Sequence, residues 1–121
     1  MSKDFTGKHI LIVEDEFFVG SDLEQILVDA GAEAVLVNTA AAASARLAEA
    51  KFDAAILDIH LQDESTYPLA DTLRRKSIPF LFLSGYLTIR EGYTDIPFVD
   101  KPFTTETVTN ALKSLLAQPT R

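Results

Sequence analysis

His9-Ile10-Leu11-Ile12-Val13-Glu14-Asp15-Glu16 is the stretch that decides the fold. A short, partly β-branched apolar run without alternation reads as a strand buried on both faces, the condition of a parallel sheet covered by helices on each side. Three consecutive acids end the run, so the strand leaves the core at Glu14. Beyond them Val19, Leu23, Ile26, Leu27 and Ala30 recur at helical spacing, and Gly31 stands where a C′ glycine terminates a helix. Strand, acidic turn and helix make one unit.

The unit recurs down the chain. Ala34-Val35-Leu36-Val37 is a second short strand, and Asn38 or Thr39 can cap a helix through Ala50 whose Ala40, Ala43, Leu47 and Ala50 form a narrow apolar stripe. Ala54-Ala55-Ile56-Leu57 is a third strand, ending on Asp58. The polar stretch His60 to Thr66 precedes a helix from about Tyr67 to Lys76, with Pro68 in its tolerant first turn. Phe80-Leu81-Phe82-Leu83 is a fourth strand that begins just after Pro79, which could not sit inside it, and ends at Ser84-Gly85. From Tyr86 to Asp95 turn residues dominate, with only a short helix expected around Thr88 to Glu91. A fifth strand, Pro97 to Asp100, ends at Lys101-Pro102, and Thr104 opens a last helix to Ala117 with Val108, Ala111, Leu112 and Leu115 on one side. The expected fold is α/β, a doubly wound five-stranded parallel sheet of flavodoxin-like order 2-1-3-4-5 with right-handed crossovers. It is read as a single domain over residues 1–121, with a core of about 8–117 and no output domain.

Composition narrows the chemistry. With 11 Lys and Arg against 18 Asp and Glu, a formal charge of −7, the chain lacks the basic face that direct nucleic-acid binding needs. The absence of cysteine removes disulfides, thiolate metal sites and cysteine nucleophiles. No apolar run approaches the length of a spanning helix and no secretory h-region opens the chain, so a cytoplasmic protein without membrane insertion is expected.

Ligands of such a fold bind at the carboxyl ends of the strands beside the switch point, and the polar residues fall there. Glu14 and Asp15 follow the first strand, Asp58 the third, Ser84 the fourth and Lys101 the fifth. Three carboxylates gathered at one rim repel unless a proton or cation joins them. Mg²⁺, with Mn²⁺ as the alternative, suits an incomplete oxygen set that leaves room for a phosphoryl group. Asp58 is the best nucleophile, able to become an aspartyl phosphate, with Lys101 and the Ser84 hydroxyl on the phosphoryl oxygens. Taken singly, each residue also fits a helix-end charge, a turn or a surface position. His60 is read as a loop residue whose backbone carbonyl, rather than its imidazole, faces the metal, and His9 as structural. Phe80, Phe82, Phe98 and Phe103 are read as packing residues in or beside core strands. Neither GxGxxG nor GxxxxGK[ST] occurs.

With these residues in place, the sequence resembles a receiver domain of the two-component response-regulator family, over nearly the whole chain from Glu14-Asp15 through Asp58 and Ser84 to Lys101-Pro102-Phe103. The resemblance implies a CheY-like fold, Asp58 as phosphoacceptor, and Asp15 as principal metal carboxylate supported by Glu14 and the His60 backbone. It implies Ser84 as switch hydroxyl, Lys101 as phosphoryl contact, Phe98 as switch aromatic and a cis Lys101-Pro102 bond. The partners it implies are a sensor histidine kinase or histidine phosphotransfer protein and a downstream protein of unknown identity, with a phosphorylation-dependent dimer as a further state. Two departures stand out. Gln62 occupies a place where many relatives have proline, and only thirteen residues separate Ser84 from Phe98, implying a short or distorted fourth helix. Phe82-Leu83-Ser84-Gly85-Tyr86 is also similar to the Phe-Ala-Thr-Gly-Tyr motif of an alphaproteobacterial stand-alone subgroup. Rival readings are a small Mg²⁺-dependent aspartyl-phosphate phosphohydrolase, a flavodoxin-like carrier disfavoured by its acidic first loop, and a receiver-like interaction protein that never uses phosphate.

Overall fold

The computed structural model describes residues 4–62, 64–85 and 89–117. In chain order its elements are β1 (His9–Val13), α1 (Phe17–Asp29), β2 (Glu33–Val37), α2 (Ala40–Glu49), β3 (Ala54–Asp58), β4 (His60–Leu61), β5 (Glu64–Ser65), α3 (Tyr67–Arg75), β6 (Phe80–Ser84), β7 (Phe98–Asp100) and α4 (Thr105–Ala117). Five parallel strands lie in the order β2-β1-β3-β6-β7, which is the 2-1-3-4-5 order once the small antiparallel β4–β5 hairpin is set aside.

The apolar run of β1 is buried on both faces because its side chains alternate between two cores. Ile10 and Ile12 pack with Leu23 and Leu27 of α1 and Val108, Leu112 and Leu115 of α4. Leu11 and Val13 pack with Leu47 of α2, Ala70 and Leu73 of α3, and Phe80 and Phe82 of β6. Each fully buried large side chain contributes about 1.5–3 kcal/mol relative to exposure, and these contacts hold the sheet's rim in place.

Local signals set the element ends. Gly31 adopts φ +96°, and Thr39 Oγ1 accepts a hydrogen bond from Ala42 N at 3.0 Å to cap α2. Thr104 Oγ1 accepts from Thr107 N at 3.1 Å before α4. Strand register then aligns the carboxyl ends, with Val13 opposite Leu57, Asp58 opposite Leu83 and Ser84 opposite Asp100.

Two stretches differ from the expectation. The polar stretch after Asp58 is not a plain loop, because His60 pairs with Ser65 and Leu61 with Glu64. Of the short helix expected at Thr88 to Glu91, Thr88 lies outside the described residues, as do Asp63 and Tyr86. Ile89, Arg90 and Glu91 are not helical, and residues 89–97 run as turns. Side chains fasten this segment to α3: Tyr93 Oη donates to Asp71 Oδ1 at 2.7 Å, Arg74 pairs with Asp95 at 2.8 Å, and the Arg90 guanidinium lies 4.2 Å from the Tyr67 ring centroid.

Candidate phosphoacceptor site

Asp58 ends β3, the central strand, with 7% of its surface exposed. Both of its oxygens are engaged. Oδ1 accepts from the His60 N–H at 3.2 Å and Oδ2 from Lys101 Nζ at 2.8 Å. Thr66, fully buried, brings Oγ1 to within 2.7 and 2.8 Å of the carbonyl oxygens of Asp58 and Ile59, which fixes the backbone that carries the carboxylate.

Lys101 reaches in from the end of β7, where its N–H donates to the Ser84 carbonyl at 2.8 Å. Its ammonium also lies 2.9 Å from Glu14 Oε1 and 3.3 Å from Glu16 Oε1. Burial would push the Lys101 pKa down, but its hydrogen bond to Asp58 and its close ion pair with Glu14 outweigh that and hold it above the ordinary lysine value. Lys101 is thus a cation held among three carboxylates rather than a charge free to swing in solvent.

Glu14 is the strained member of this set. Its side chain is fully buried, and burial first, then the neighbouring Asp58 carboxyl, raises its pKa to about 7 against the pull of Lys101. Oε1 makes no hydrogen bond in spite of the nearby ammonium, which pairs with it by charge alone. One ammonium faces three carboxylates, and oxygens of Glu14, Glu16 and Asp58 lie within 4.8 Å of one another. Oxygen donors that outnumber the one ammonium, among them a buried oxygen without a hydrogen bond, fit a hard divalent cation.

The expected residues are not all in that group. Asp15 is absent from it and accepts a hydrogen bond from the Gln62 N–H instead, while Glu16, read from sequence only as a helix-end acid, takes part. Nothing in three consecutive acids says which will turn inward, since the turn between β1 and α1 decides it. Nor does the His60 ring belong to the group, although His60 lines the adjoining cleft of about 620 Å³ with Asp58, Glu16 and Lys101. Ser84 is buried at the end of β6. His9 lies at the other end of β1, stacked on Phe52 at 4.2 Å.

Phe80 and Phe82 are buried and Phe103 packs against the α1–α4 core, as read from sequence, but Phe98 does not pack inside. It is 51% exposed because β7 is an edge strand on which Val99 turns inward, Phe98 and Asp100 turn outward, and the described part of the preceding crossover supplies only turns. The Lys101–Pro102 bond is cis.

The family model described as the response regulator receiver domain matches residues 10–113. The chain belongs to the response regulator receiver family. This receiver is therefore a two-component phosphorelay protein, from a family whose members are signalling phosphoacceptors. No curated protein sequence matches it. Among solved structures, it is similar to SdrG from Sphingomonas melonis Fr1, with 38% identity, a TM-score of 0.78 and coverage of 97% of this chain and 100% of that one. It is similar as well to a response regulator receiver protein from Sinorhizobium medicae WSM419, with 28% identity, a TM-score of 0.81 and coverage of 90% and 94%. The receiver domain of sensor histidine kinase PA1611 from Pseudomonas aeruginosa PAO1, whose structure has a magnesium ion coordinated in the active site cleft, shares the fold at 20% identity and a TM-score of 0.80 over 93% of this chain and 100% of that one.

Proposed function

We propose that this receiver takes one phosphoryl group onto Asp58 from the phosphohistidine of a sensor histidine kinase or histidine phosphotransfer protein. The observation that carries the reading is the Asp58 carboxylate at the central strand end, in an open cleft, with the Lys101 ammonium 2.8 Å away. An Asp58 oxygen attacks phosphorus as the P–N bond breaks, and the electron pair stays on the leaving imidazole, which takes up a proton. Lys101 is placed to follow the transferred oxygens, and Ser84 at the neighbouring strand end can donate its hydroxyl to them.

Glu14, Asp15 and Asp58, with the His60 backbone carbonyl, are the proposed holders of Mg²⁺ or Mn²⁺, and Glu16 stands close enough to assist. The bound ion would neutralise charge on carboxylates and phosphoryl oxygens. The buried Glu14 oxygen, ion-paired with Lys101 but without a hydrogen bond, supports this reading.

In this reading formation and hydrolysis of the acyl phosphate are catalysed by the receiver itself. The output is a changed protein surface or onward relay of the phosphoryl group. Phe98, exposed on β7, is the proposed switch aromatic, turning inward when Ser84 moves to the phosphoryl group. The downstream partner is a protein, and phosphorylation-dependent dimerisation belongs to the same proposal, as does kinship with the Phe-Ala-Thr-Gly-Tyr subgroup. Among the described residues no helix is long and apolar enough to cross a membrane, which accords with a cytoplasmic setting.

Incubation with a small phosphomonoester and Mg²⁺ separates this reading from a phosphohydrolase. A receiver, taking its phosphoryl group from phosphohistidine, releases no phosphate from the monoester beyond slow turnover of its own acyl phosphate, whereas rapid Asp58-dependent hydrolysis of the monoester contradicts the proposal.

A further inference from the structure

Asp15 stands beside the carboxylate cluster and is kept out of it by an identifiable group. Its Oδ2 accepts from the backbone N–H of Gln62, the residue that follows β4. A carboxylate on a backbone amide is a charge-assisted hydrogen bond, of the stronger class. Asp15 lines a cleft of about 370 Å³ together with Glu14, Phe17, Leu36 and Val37, next to the larger one lined by Asp58, Glu16 and Lys101, so Glu14 links Asp15 to the cluster.

The donor is not free to travel with Asp15. Gln62 belongs to the β4–β5 hairpin, whose ladder pairs His60 with Ser65 and Leu61 with Glu64. Glu64 Oε1 accepts from Ala40 N at 2.8 Å at the start of α2, and Thr66 ties the hairpin's base to Asp58 and Ile59. Any residue but proline supplies a backbone N–H at position 62. The glutamine that stands there, where the receiver pattern commonly has proline, therefore creates the donor.

We infer that the Gln62 N–H is a latch that competes with the divalent cation for Asp15. Ion binding through Asp15 exchanges this hydrogen bond for coordination and leaves the Gln62 N–H open to solvent. Gln62 is a positioning residue, acting on the ion through Asp15. The inference rests on the proposed cation site, and its test is independent of phosphoryl transfer.

The test is a Mg²⁺ titration of the whole chain by calorimetry, with Gln62→Pro and Asp15→Asn alongside, and amide hydrogen exchange of Gln62 in the wild type with and without saturating Mg²⁺. Gln62→Pro is expected to bind Mg²⁺ about tenfold more tightly, near the lower end of what a hydrogen bond to a charged group is worth. Asp15→Asn is expected to bind it more weakly, and Mg²⁺ is expected to speed exchange of the wild-type Gln62 amide at least tenfold. Unchanged exchange at saturation overturns the latch, as does a folded Gln62→Pro protein with unaltered affinity. If Gln62→Pro does not fold, the wild-type exchange decides alone. Failure of the wild type and both variants to bind Mg²⁺ overturns the cation site itself along with the latch.

Discussion

Glu14 illustrates what the site demands of a single side chain. Burial and the Asp58 carboxyl raise its pKa from 4.5 to about 7, so the native protein holds a proton there that the unfolded chain releases. Below pH 4.5 both states carry the proton and Glu14 contributes no pH dependence. Between 4.5 and about 7 the native state binds more protons, so this contribution to stability falls as pH rises, and above 7 the loss is complete. Glu14→Gln should therefore come close to the wild type in urea unfolding near pH 4.5 and exceed it by up to about 3 kcal/mol at pH 8. Saturating Mg²⁺ at pH 8 should narrow that gap. An equal difference at both pH values would contradict the assignment. A glycine carries a second prediction at this scale. A Cβ on Gly31 would lie 2.7 Å from Thr6 Oγ1 and 3.2 Å from its backbone, at a φ of +96°. Gly31→Ala should cost at least about 1 kcal/mol by chemical denaturation, and a neutral or stabilising effect would contradict the packing described.

Among the elements, those with a clear period and a chemical end signal were legible from sequence. The Thr39 cap and the Gly31 terminus lie where side-chain chemistry requires them, because each is a local choice made within a few residues. The β4–β5 hairpin was not, since two-residue strands carry no period and its anchors, Asp15 and Glu64 to Ala40, are distant in sequence. The 89–97 segment escaped for a related reason. Its order comes from Tyr93, which hydrogen-bonds Asp71, lies 4.5 Å from the Tyr67 ring centroid and has the Arg74 guanidinium 4.9 Å from its own. Tyr93→Ala should destabilise the protein by about 2 kcal/mol, combining lost aromatic burial and a lost hydrogen bond. It should also speed amide exchange in 89–97 well before global unfolding. A variant with wild-type exchange there would show that the segment is held some other way.

At the scale of the whole molecule, alternation of apolar runs with helical patterns was enough to reach the sheet order, since crossover handedness and two-sided burial leave few topologies. The same topology brought Glu14, Asp58 and Lys101 together across 87 residues of chain, because register places successive strand ends on one rim. What topology does not dictate is the direction of side chains in the connecting turns. Glu16 brings an oxygen to the group of Glu14 and Asp58 while Asp15 is hydrogen-bonded to the Gln62 N–H, and Phe98 faces outward from an edge strand. These are positions that the proposed cation site and the proposed switch draw on, so they bear on the properties particular to this chain.

Phosphoryl acceptance by Asp58 is tested most directly by intact-mass spectrometry after incubation with a small phosphodonor. The wild type with Mg²⁺ is compared with Asp58→Ala and with a chelated sample, beside a receiver known to accept the donor. Phosphoryl transfer to Asp58 predicts one added phosphoryl group that is lost in both comparisons. No adduct on the wild type while the control receiver is labelled, or an adduct that survives Asp58→Ala, would contradict it.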